Sequence, residues 1–257
     1  MSTELKIAYF YPKLLNLYGD NGNVEILVAR AKRRGFSVQV IHVDHSVKLD
    51  SHLMKSVNLV FMGGGPDSGQ KLVYDDLKNV KGSVIQEYIE NNGVGLYICG
   101  AYQLLGNYYK AADGSIIEGL EIFDLYTESF GNQKPRCIGN TVATLSTYIT
   151  EDPLFKNISD LGDKIVGFEN HGGRTYLKNK FEGLAKVEMG HGNNSEDKIE
   201  GILHKNSIGT YFHGPFLARN PHIADYLIAK ALQLDRLSKL TDHLIRAAHT
   251  ASLKLKQ

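Results

Sequence analysis

The sequence contains no tryptophan, only two cysteines and six prolines in 257 residues, and the low cysteine count narrows the classes of protein that it could encode. Cys99 and Cys137 cannot build the set of disulfides that stabilises small secreted domains. The ten histidines are scattered, and no Cys/His cluster has metal-ligand spacing. We therefore expect neither a disulfide framework nor a metal site.

Long apolar runs and an excess of charge are also missing. No stretch approaches the roughly 18 apolar residues of a transmembrane helix, and the first residues lack the basic and apolar regions of a signal peptide. The formal net charge of +1 provides no field that would attract nucleic acid or an anionic membrane. We therefore expect a cytoplasmic protein without nucleic-acid binding or membrane insertion, and a reducing cytoplasm suits a working thiol.

Apolar runs alternate with amphipathic ones through the first half of the chain. Strands are predicted at residues 5–10, 37–43, 57–62 and 94–98, and helices at 24–34, 83–91 and 101–109. This alternation predicts an α/β fold of the flavodoxin-like type, in which a mostly parallel central sheet is flanked by helices.

The second half has a different pattern of short apolar runs separated by Gly, Asn and Asp turns. Strands are predicted at residues 120–127, 136–149, 165–168, 184–189, 199–204 and 208–212. We expect them to form an antiparallel extension of the same sheet, followed by a helix at 221–234.

The last residues predict an amphipathic helix over 236–254. We divide the chain into a main domain over 1–235 and a C-terminal amphipathic helix over 236–257. The segment is expected to pack on the same domain, although a docking surface for a partner is an alternative.

The segment from Val94 to Leu105 is the most informative part of the chain. An apolar, strand-like run ends in Cys99-Gly100, and a helix-like run follows at once. A turn this sharp presents its side chain at the top of a sheet, as nucleophile elbows do. It also directs the first N–H groups of the helix at the group under attack. Cys99 is therefore predicted to be a nucleophile that forms a thioester.

His213 is the best candidate for the general base of such a cysteine. It also follows an apolar strand and precedes a turn, so both residues are expected at the carboxyl edge of the sheet. Alone, each would be interpreted as a structural side chain. Together they have the setting that Cys–His chemistry requires.

The run Gly63-Gly64-Gly65-Pro66 follows a predicted strand and is a candidate oxyanion hole. The backbone N–H groups of Gly64 and Gly65, with that of Gly100, are expected to stabilise the charge of a tetrahedral intermediate. A plain turn or a phosphate loop is the alternative, although the run lacks the Lys-Ser/Thr of a P-loop.

These segments resemble the class I (triad-type) glutamine amidotransferases, in particular the cobyric acid synthase-like branch. The resemblance rests on residues 99–103, 63–66 and 211–215. Further matches at residues 17–23, 167–175 and 190–194 narrow it to glutaminase subunits of lipid II isoglutaminyl synthases. It extends from about Leu5 to Leu232.

The resemblance implies that glutamine is hydrolysed to glutamate and ammonia through a γ-glutamyl thioester. Cys99 and His213 take the roles of nucleophile and general base, Gln103 helps to seat the substrate, and Arg136 binds glutamine. A guanidinium suits an α-carboxylate because it binds it with two parallel hydrogen bonds. A solvated surface position is the alternative for Arg136, and Cys137 is interpreted as structural.

The resemblance also implies a partner, a MurT-like Mur ligase subunit that forms a heterodimer with this chain. The partner uses ATP and the released ammonia to amidate the D-glutamate of lipid II to D-isoglutamine, so this chain itself needs no cofactor. Lipid II is reached through the partner.

Two positions depart from the pattern of the relatives. Ala101 stands where they usually have a second glycine, and it is harmless if the backbone there is already helical. Pro215 stands where many triad enzymes carry the glutamate that orients the histidine. We expect a carboxylate of the partner subunit to complete the triad, with Glu169 as an alternative from within the chain.

Two other functions remain open from the sequence. The chain could be a glutaminase for another synthetase, such as a cobyrinate-type enzyme, or a cysteine peptidase or amidase of the same fold. A non-catalytic module that retains the fold is a further alternative.

Overall fold

A six-stranded, mostly parallel sheet forms the centre of the computed structural model, which describes residues 4–178 and 182–255. Its strands, in the spatial order β13-β14-β4-β3-β1-β2, are β1 (Glu4–Phe10), β2 (Ser37–Val43), β3 (Leu59–Met62), β4 (Val94–Ile98), β13 (Ile202–His204) and β14 (Ser207–Thr210). All neighbours pair in parallel except β13, which runs antiparallel to β14. The predicted α/β fold is therefore confirmed.

Helices cover the sheet and account for the amphipathic runs of the sequence. They are α1 (Asn21–Lys32), α2 (Ser51–Ser56), α3 (Asp67–Asp76), α4 (Gly82–Glu90), α5 (Gly100–Leu104), α6 (Thr147–Thr150), α7 (Pro153–Ile158), α8 (Phe216–Arg219), α9 (Pro221–Ala231) and α10 (His243–Ser252). Helix α9 is buried along almost its whole length, between α1, α7 and the strands β3 and β4. Within the described residues, no helix is long and apolar enough to cross a membrane.

The remaining strands form two four-stranded sheets of their own. One has the order β10-β7-β5-β6 and the other β12-β11-β8-β9. Their ranges are β5 (Tyr108–Lys110), β6 (Ile116–Glu118), β7 (Leu125–Ser129), β8 (Cys137–Leu145), β9 (Lys164–His171), β10 (Gly173–Leu177), β11 (Ala185–Met189) and β12 (Ile199–Glu200). The predicted antiparallel extension of the central sheet is confirmed at β13, which pairs with β14. The other strands of the second half pair in the two separate sheets, where neighbours run antiparallel except β5 and β7.

Several helix and strand ends differ from the predicted ones, and at α5 the backbone of a neighbouring loop hydrogen-bonds to the end of the helix. The helix predicted over 101–109 ends at Leu104, and a strand begins at Tyr108. Residues 120–123, predicted as strand, are instead a loop whose N–H groups donate to the carbonyls of Leu104, Leu105 and Gly106. These carbonyls lie at the end of α5 and would otherwise lack partners. The strand predicted over 136–149 likewise ends at Leu145, before α6.

The C-terminal segment contacts helices α1 and α9 through a buried cluster of charges. Arg30 of α1 binds Asp225 of α9 at 2.7 and 2.8 Å and Asp242, the residue before α10, at 2.7 Å. Arg33 also pairs with Asp242, and Arg34 with Asp225. The helix predicted over 236–254 begins only at His243, after this contact.

The topology brings four loops to one edge of the central sheet. Because β1, β3, β4 and β14 are parallel, the residues that follow them all lie at the carboxyl edge. These residues include the loop before Asp20, the glycine run at 63–65, Cys99 and His213.

Candidate active site

Cys99 occupies a strained turn between β4 and α5. Its φ of 49° and ψ of −105° lie in a region that non-glycine residues rarely adopt. Its N–H donates to the carbonyl of Thr210, which ties the turn to β14, and its carbonyl accepts from Gln103 in the first turn of α5. Ala101 lies within α5, so the prediction that this position is helical is confirmed. The strain falls on the cysteine, as in a nucleophile elbow.

The thiol and the imidazole of His213 lie on the same side of Gly64. A Cβ atom at Gly64 would be 2.9 Å from His213 Cε1 and 3.0 Å from Cys99 Cβ. Both side chains are buried, and His213 Nε2 makes no hydrogen bond to a nitrogen or oxygen of the described residues. Nε2 is therefore available to exchange a proton with the thiol.

Asp20 supplies the acid that the sequence analysis assigned to a partner. Its Oδ1 lies 3.0 Å from His213 Nδ1, and both side chains are fully buried. Its Oδ2 accepts a hydrogen bond of 2.7 Å from the N–H of Gly64. The expectation that a partner carboxylate must orient His213 is therefore wrong, because this chain already places one on Nδ1.

Pro215 explains how Asp20 comes so close. A Cβ atom at Gly22 would lie 2.2 Å from Pro215 Cγ, so the start of α1 is packed directly against the residue that replaces the glutamate. Helix α1 thereby delivers Asp20 from another part of the chain.

Glu169, the residue predicted as the alternative that orients His213, binds backbone N–H groups of a different segment. Its carboxylate accepts from the N–H groups of His191 and Gly192 at 2.9 and 2.7 Å. It is buried and holds the turn at 190–192 rather than the imidazole of His213. The interpretation of Glu169 as the orienter is therefore wrong.

The surroundings of His213 favour its protonated form. Burial lowers the pKa of this imidazole, but the negative charge of Cys99 and the hydrogen-bonded carboxylate of Asp20 outweigh it and raise the pKa to about 10. An imidazolium beside a thiolate is the arrangement that activates a cysteine for attack on an amide.

The glycine run packs mainly against the loop that precedes Asp20. A Cβ atom at Gly63 would lie 2.3 Å from the carbonyl oxygen of Leu15, and one at Gly65 would lie 2.6 Å from Leu15 Cδ2. The N–H of Gly64 is bound to Asp20, so its predicted role as an oxyanion donor is wrong. The N–H groups of Gly65 and Gly100 remain the candidates for that role.

Gln103 lies one turn beyond Cys99 and is buried. Its Nε2 donates to the hydroxyl of Tyr211 at 2.9 Å, and its Oε1 accepts from Gln70 Nε2 at 3.3 Å. The structure therefore places Gln103 beneath the elbow, with its amide already bound to side chains of the chain itself.

Arg136 precedes β8 and is linked to the catalytic residues by side chains that the sequence analysis missed. Its guanidinium binds Asn170 of β9, and Asn170 Nδ2 donates to the hydroxyl of Tyr18 at 2.7 Å. The Tyr18 ring lies edge-on to His213 with 5.0 Å between ring centroids. Tyr18, Asp20 and Asn170 lie in segments that supported only the family resemblance above. Those motifs therefore marked the residues in the sequence but did not indicate what each side chain does.

Cys137 is buried away from the elbow. Its Sγ accepts a hydrogen bond of 2.7 Å from the Arg174 guanidinium and lies 3.1 Å from Ser195 Oγ. Burial raises the pKa of this thiol. These contacts give Cys137 a packing environment rather than that of a nucleophile.

Comparisons with known proteins agree with this geometry. The family model of the CobB/CobQ-like glutamine amidotransferase domain matches residues 6–221. The chain is 43% identical over 230 residues to the lipid II isoglutaminyl synthase (glutamine-hydrolyzing) subunit GatD of Staphylococcus aureus, covering 90% of this chain and 85% of that protein. It is 41% identical to the GatD subunit of Streptococcus pneumoniae, covering 90% and 81%.

Solved structures share the fold at low sequence identity. A glutamine amidotransferase from Thermotoga maritima superposes with a TM-score of 0.54 at 15% identity, covering 97% of this chain and 96% of that chain. The glutaminase domain of Trypanosoma brucei CTPS superposes with a TM-score of 0.57 at 11% identity, covering 91% and 98%. The nucleophile elbow, the family match and the similarity along most of both relatives lead to one conclusion: this chain is a glutamine amidotransferase of the CobB/CobQ-like type and belongs to the GatD family.

Proposed function

We propose that this chain hydrolyses L-glutamine through a thioester on Cys99, with His213 as the general acid and base and Asp20 as the residue that orients it. The thiolate attacks the γ-carboxamide carbon, and the N–H groups of Gly65 and Gly100 stabilise the oxyanion. The His213 imidazolium gives its proton to the amide nitrogen, and ammonia leaves.

The second half of the reaction restores the enzyme. Neutral His213 takes a proton from water through Nε2, and the resulting hydroxide attacks the thioester carbonyl. Glutamate leaves as Cys99 becomes a thiolate again. Asp20 keeps the Nδ1–H in place throughout, so Nε2 always faces the thiol.

The single observation that carries this proposal is the buried Asp20–His213 pair beside the strained Cys99 turn. Arg136 provides the anchor for the α-carboxylate of a free amino acid. A peptidase or amidase cleft needs no such anchor, so Arg136 favours glutamine over a peptide.

The names of two relatives support a proposal for the acceptor of the ammonia. Both GatD proteins are named as subunits of a glutamine-hydrolysing lipid II isoglutaminyl synthase. We therefore propose that a MurT-like ligase subunit forms a heterodimer with this chain, uses ATP, and amidates the D-glutamate of lipid II to D-isoglutamine. On this proposal the chain holds no cofactor or metal and works in the cytoplasm, where ATP is available and thiols stay reduced.

A cobyrinate-type acceptor is the second candidate, because a probable cobyric acid synthase of Methanocaldococcus jannaschii is 35% identical over 153 residues. This chain, however, covers only 27% of that protein. Co-purification of the native chain distinguishes the two: a Mur-ligase-like partner supports the first acceptor, and a cobyrinate synthetase supports the second.

We also propose that residues 236–257 belong to the same domain as residues 1–235. The contacts of Asp242 with Arg30 and Arg33 support this assignment. The alternative use of α10 as a docking surface is tested by whether a partner protects it from proteolysis.

Replacement of the nucleophile tests the proposed reaction. We expect Cys99→Ser to lower ammonia release from L-glutamine by about 10³-fold or more, because the alkoxide is not available at neutral pH. The matched control is Cys137→Ser, which we expect to retain activity. Assays with and without the ligase subunit cover both states of the enzyme, and full activity of Cys99→Ser would reject the mechanism.

A further inference from the structure

The Arg136 guanidinium is held on one edge by a single residue. Its Nε donates to Asn170 Oδ1 at 3.2 Å, and its Nη2 donates to Asn170 Oδ1 and to the Asn170 carbonyl at 3.0 Å each. Within the described part of the chain, Nη1 has no acceptor and no carboxylate lies within ion-pair distance of Arg136. The guanidinium therefore has a fixed orientation and an unneutralised charge.

The neutral amide of Asn170 orients the Arg136 guanidinium without neutralising its charge, which a carboxylate could not do. An aspartate at the same place would also hold the guanidinium, but it would neutralise the charge and compete with an incoming carboxylate. Gly172 packs closely against Nη1, and a Cβ atom there would lie 3.1 Å from it, so a larger residue would crowd the guanidinium. Arg136 is exposed, so its free edge is both charged and accessible to a ligand.

A second buried residue, Arg174, binds both sequence neighbours of Arg136. Arg174 donates to the Pro135 carbonyl and to Cys137 Sγ, the neighbours of Arg136 in sequence. Strand pairing places Cys137 opposite His171 and Ile138 opposite Asn170. The segment 170–174 therefore holds Arg136 through its side chain and through its neighbours in sequence.

The same asparagine also reaches the catalytic histidine. Asn170 Nδ2 donates to the Tyr18 hydroxyl at 2.7 Å, and the Tyr18 ring packs edge-on to His213. Tyr18 has a φ of 55°, and it lies two residues before Asp20, which binds His213 Nδ1. One amide group thus connects the Arg136 guanidinium to the ring that packs on His213.

We propose that Asn170 is a positioning residue that directs the free edge of Arg136 at the α-carboxylate of glutamine and, through Tyr18, keeps this anchor in register with His213. This inference rests on the proposed function and adds a specificity role to a residue outside the catalytic triad. It follows that loss of Asn170 weakens recognition of the carboxylate and leaves the bond-breaking step intact.

The test compares two substrates that differ only in the group that Arg136 binds. These are L-glutamine and 4-aminobutanamide, which is glutamine without its α-carboxylate. For Asn170→Ala we expect the KM for glutamine to rise about 10- to 100-fold with little change in kcat, because the anchor is misplaced. We expect kcat/KM for 4-aminobutanamide to equal that of the unmodified enzyme.

Three further variants sharpen the result. Asn170→Asp should also raise the KM for glutamine, because its charge competes for Arg136. The double variant with Arg136→Ala should be no worse than Arg136→Ala alone, because Asn170 acts through that arginine. Lys164→Ala is the matched control, since it removes a polar contact at the other end of the same strand. It should leave KM and kcat unchanged for both substrates.

An equal loss on both substrates, or additive effects in the double variant, would overturn the inference and leave Asn170 with a purely structural role. An unchanged KM for glutamine in Asn170→Ala would overturn it as well. Failure of the proposed function looks different: the unmodified chain would release no ammonia from glutamine even with the ligase subunit present.

Discussion

Two histidines, His213 and His171, are both buried but differ strongly in their affinity for protons. His213 has Asp20 on Nδ1 and the Cys99 charge nearby, and its pKa rises to about 10 in spite of burial. His171 stacks on the Tyr211 ring at 3.7 Å, and its Nδ1 contacts only the Gly173 carbonyl. Burial lowers the pKa of His171 to about 3.

The difference shows that burial alone does not make a catalytic histidine. Removal from water disfavours an imidazolium at both sites, and only negative charge at hydrogen-bond distance reverses the effect at one of them. The charge of Cys99 and the carboxylate of Asp20 therefore separate the two histidines, and the following changes test the contributions of these neighbours.

The largest effect is expected from Asp20→Asn, which makes the surroundings of His213 more like those of His171. The amide cannot stabilise the imidazolium and can hold the wrong tautomer, so we expect kcat/KM for glutamine to fall about 10³- to 10⁴-fold. Ammonia release measures the loss, and Glu169→Gln is the control because that carboxylate holds the turn at 190–192, whereas His213 Nδ1 is bound by Asp20. Near-normal activity of Asp20→Asn with the ligase subunit present would mean that a partner carboxylate does the work after all.

A smaller effect is expected from Gly64→Ala, which keeps the Asp20 carboxylate but brings a methyl group 3.2 Å from its Oδ2. The added methyl group would press against His213 Cε1 and Cys99 Cβ, both on backbone that is held tightly. We expect kcat to fall about 10- to 100-fold through misalignment of the pair. The thermal midpoint of the same variant checks that folding is intact. Unchanged activity would mean that Cys99 and His213 are held less tightly than the structure indicates.

The smallest effect is expected from His171→Gln, and it concerns the pH dependence of the free energy of unfolding. Because the folded-state pKa of His171 is lowered, its neutral form contributes stability above about pH 6.5 that is lost as the pH falls toward 3. Between pH 7 and pH 5 this group alone costs up to about 2 kcal/mol. Urea unfolding at both pH values should therefore show a smaller acid loss for His171→Gln than for the unmodified chain.

His222 offers the matched control for that measurement. Burial lowers its pKa to about 3 as well, but it lies beside His249 and Phe155, among the helices that pack with α10. His222→Gln should reduce the acid loss by a similar amount and leave glutamine hydrolysis unchanged. An acid loss equal to that of the unmodified chain in both variants would show that other groups dominate the acid sensitivity.

The sequence was sufficient for the residues whose surroundings are local. Cys99 and His213 follow apolar runs and precede turns, so strand ends and the rule for parallel sheets bring them together. Strands β1, β2 and β4 agree closely with the predicted ranges for the same reason.

The parts that could not be predicted depend on contacts between distant segments. Asp20 reaches His213 only because Gly22 and Pro215 let α1 pack closely, and neither residue indicates the other in the sequence. The division of the second half into two sheets depends on which short strands pair, and alternating patterns do not specify partners. The orientation of Arg136 depends on Asn170, which lies on the neighbouring strand.

Asp20 directly precedes helix α1 and Arg30 lies near its end, so the carboxylate that binds His213 and the contact with the C-terminal segment are joined by one helix. Removal of the chain from residue 242 onward would leave Arg30 with one buried partner fewer. A shortened or tagged form of this protein for crystallography or for assembly with a ligase should therefore keep the residues through 242, because Asp242 binds the helix that follows Asp20.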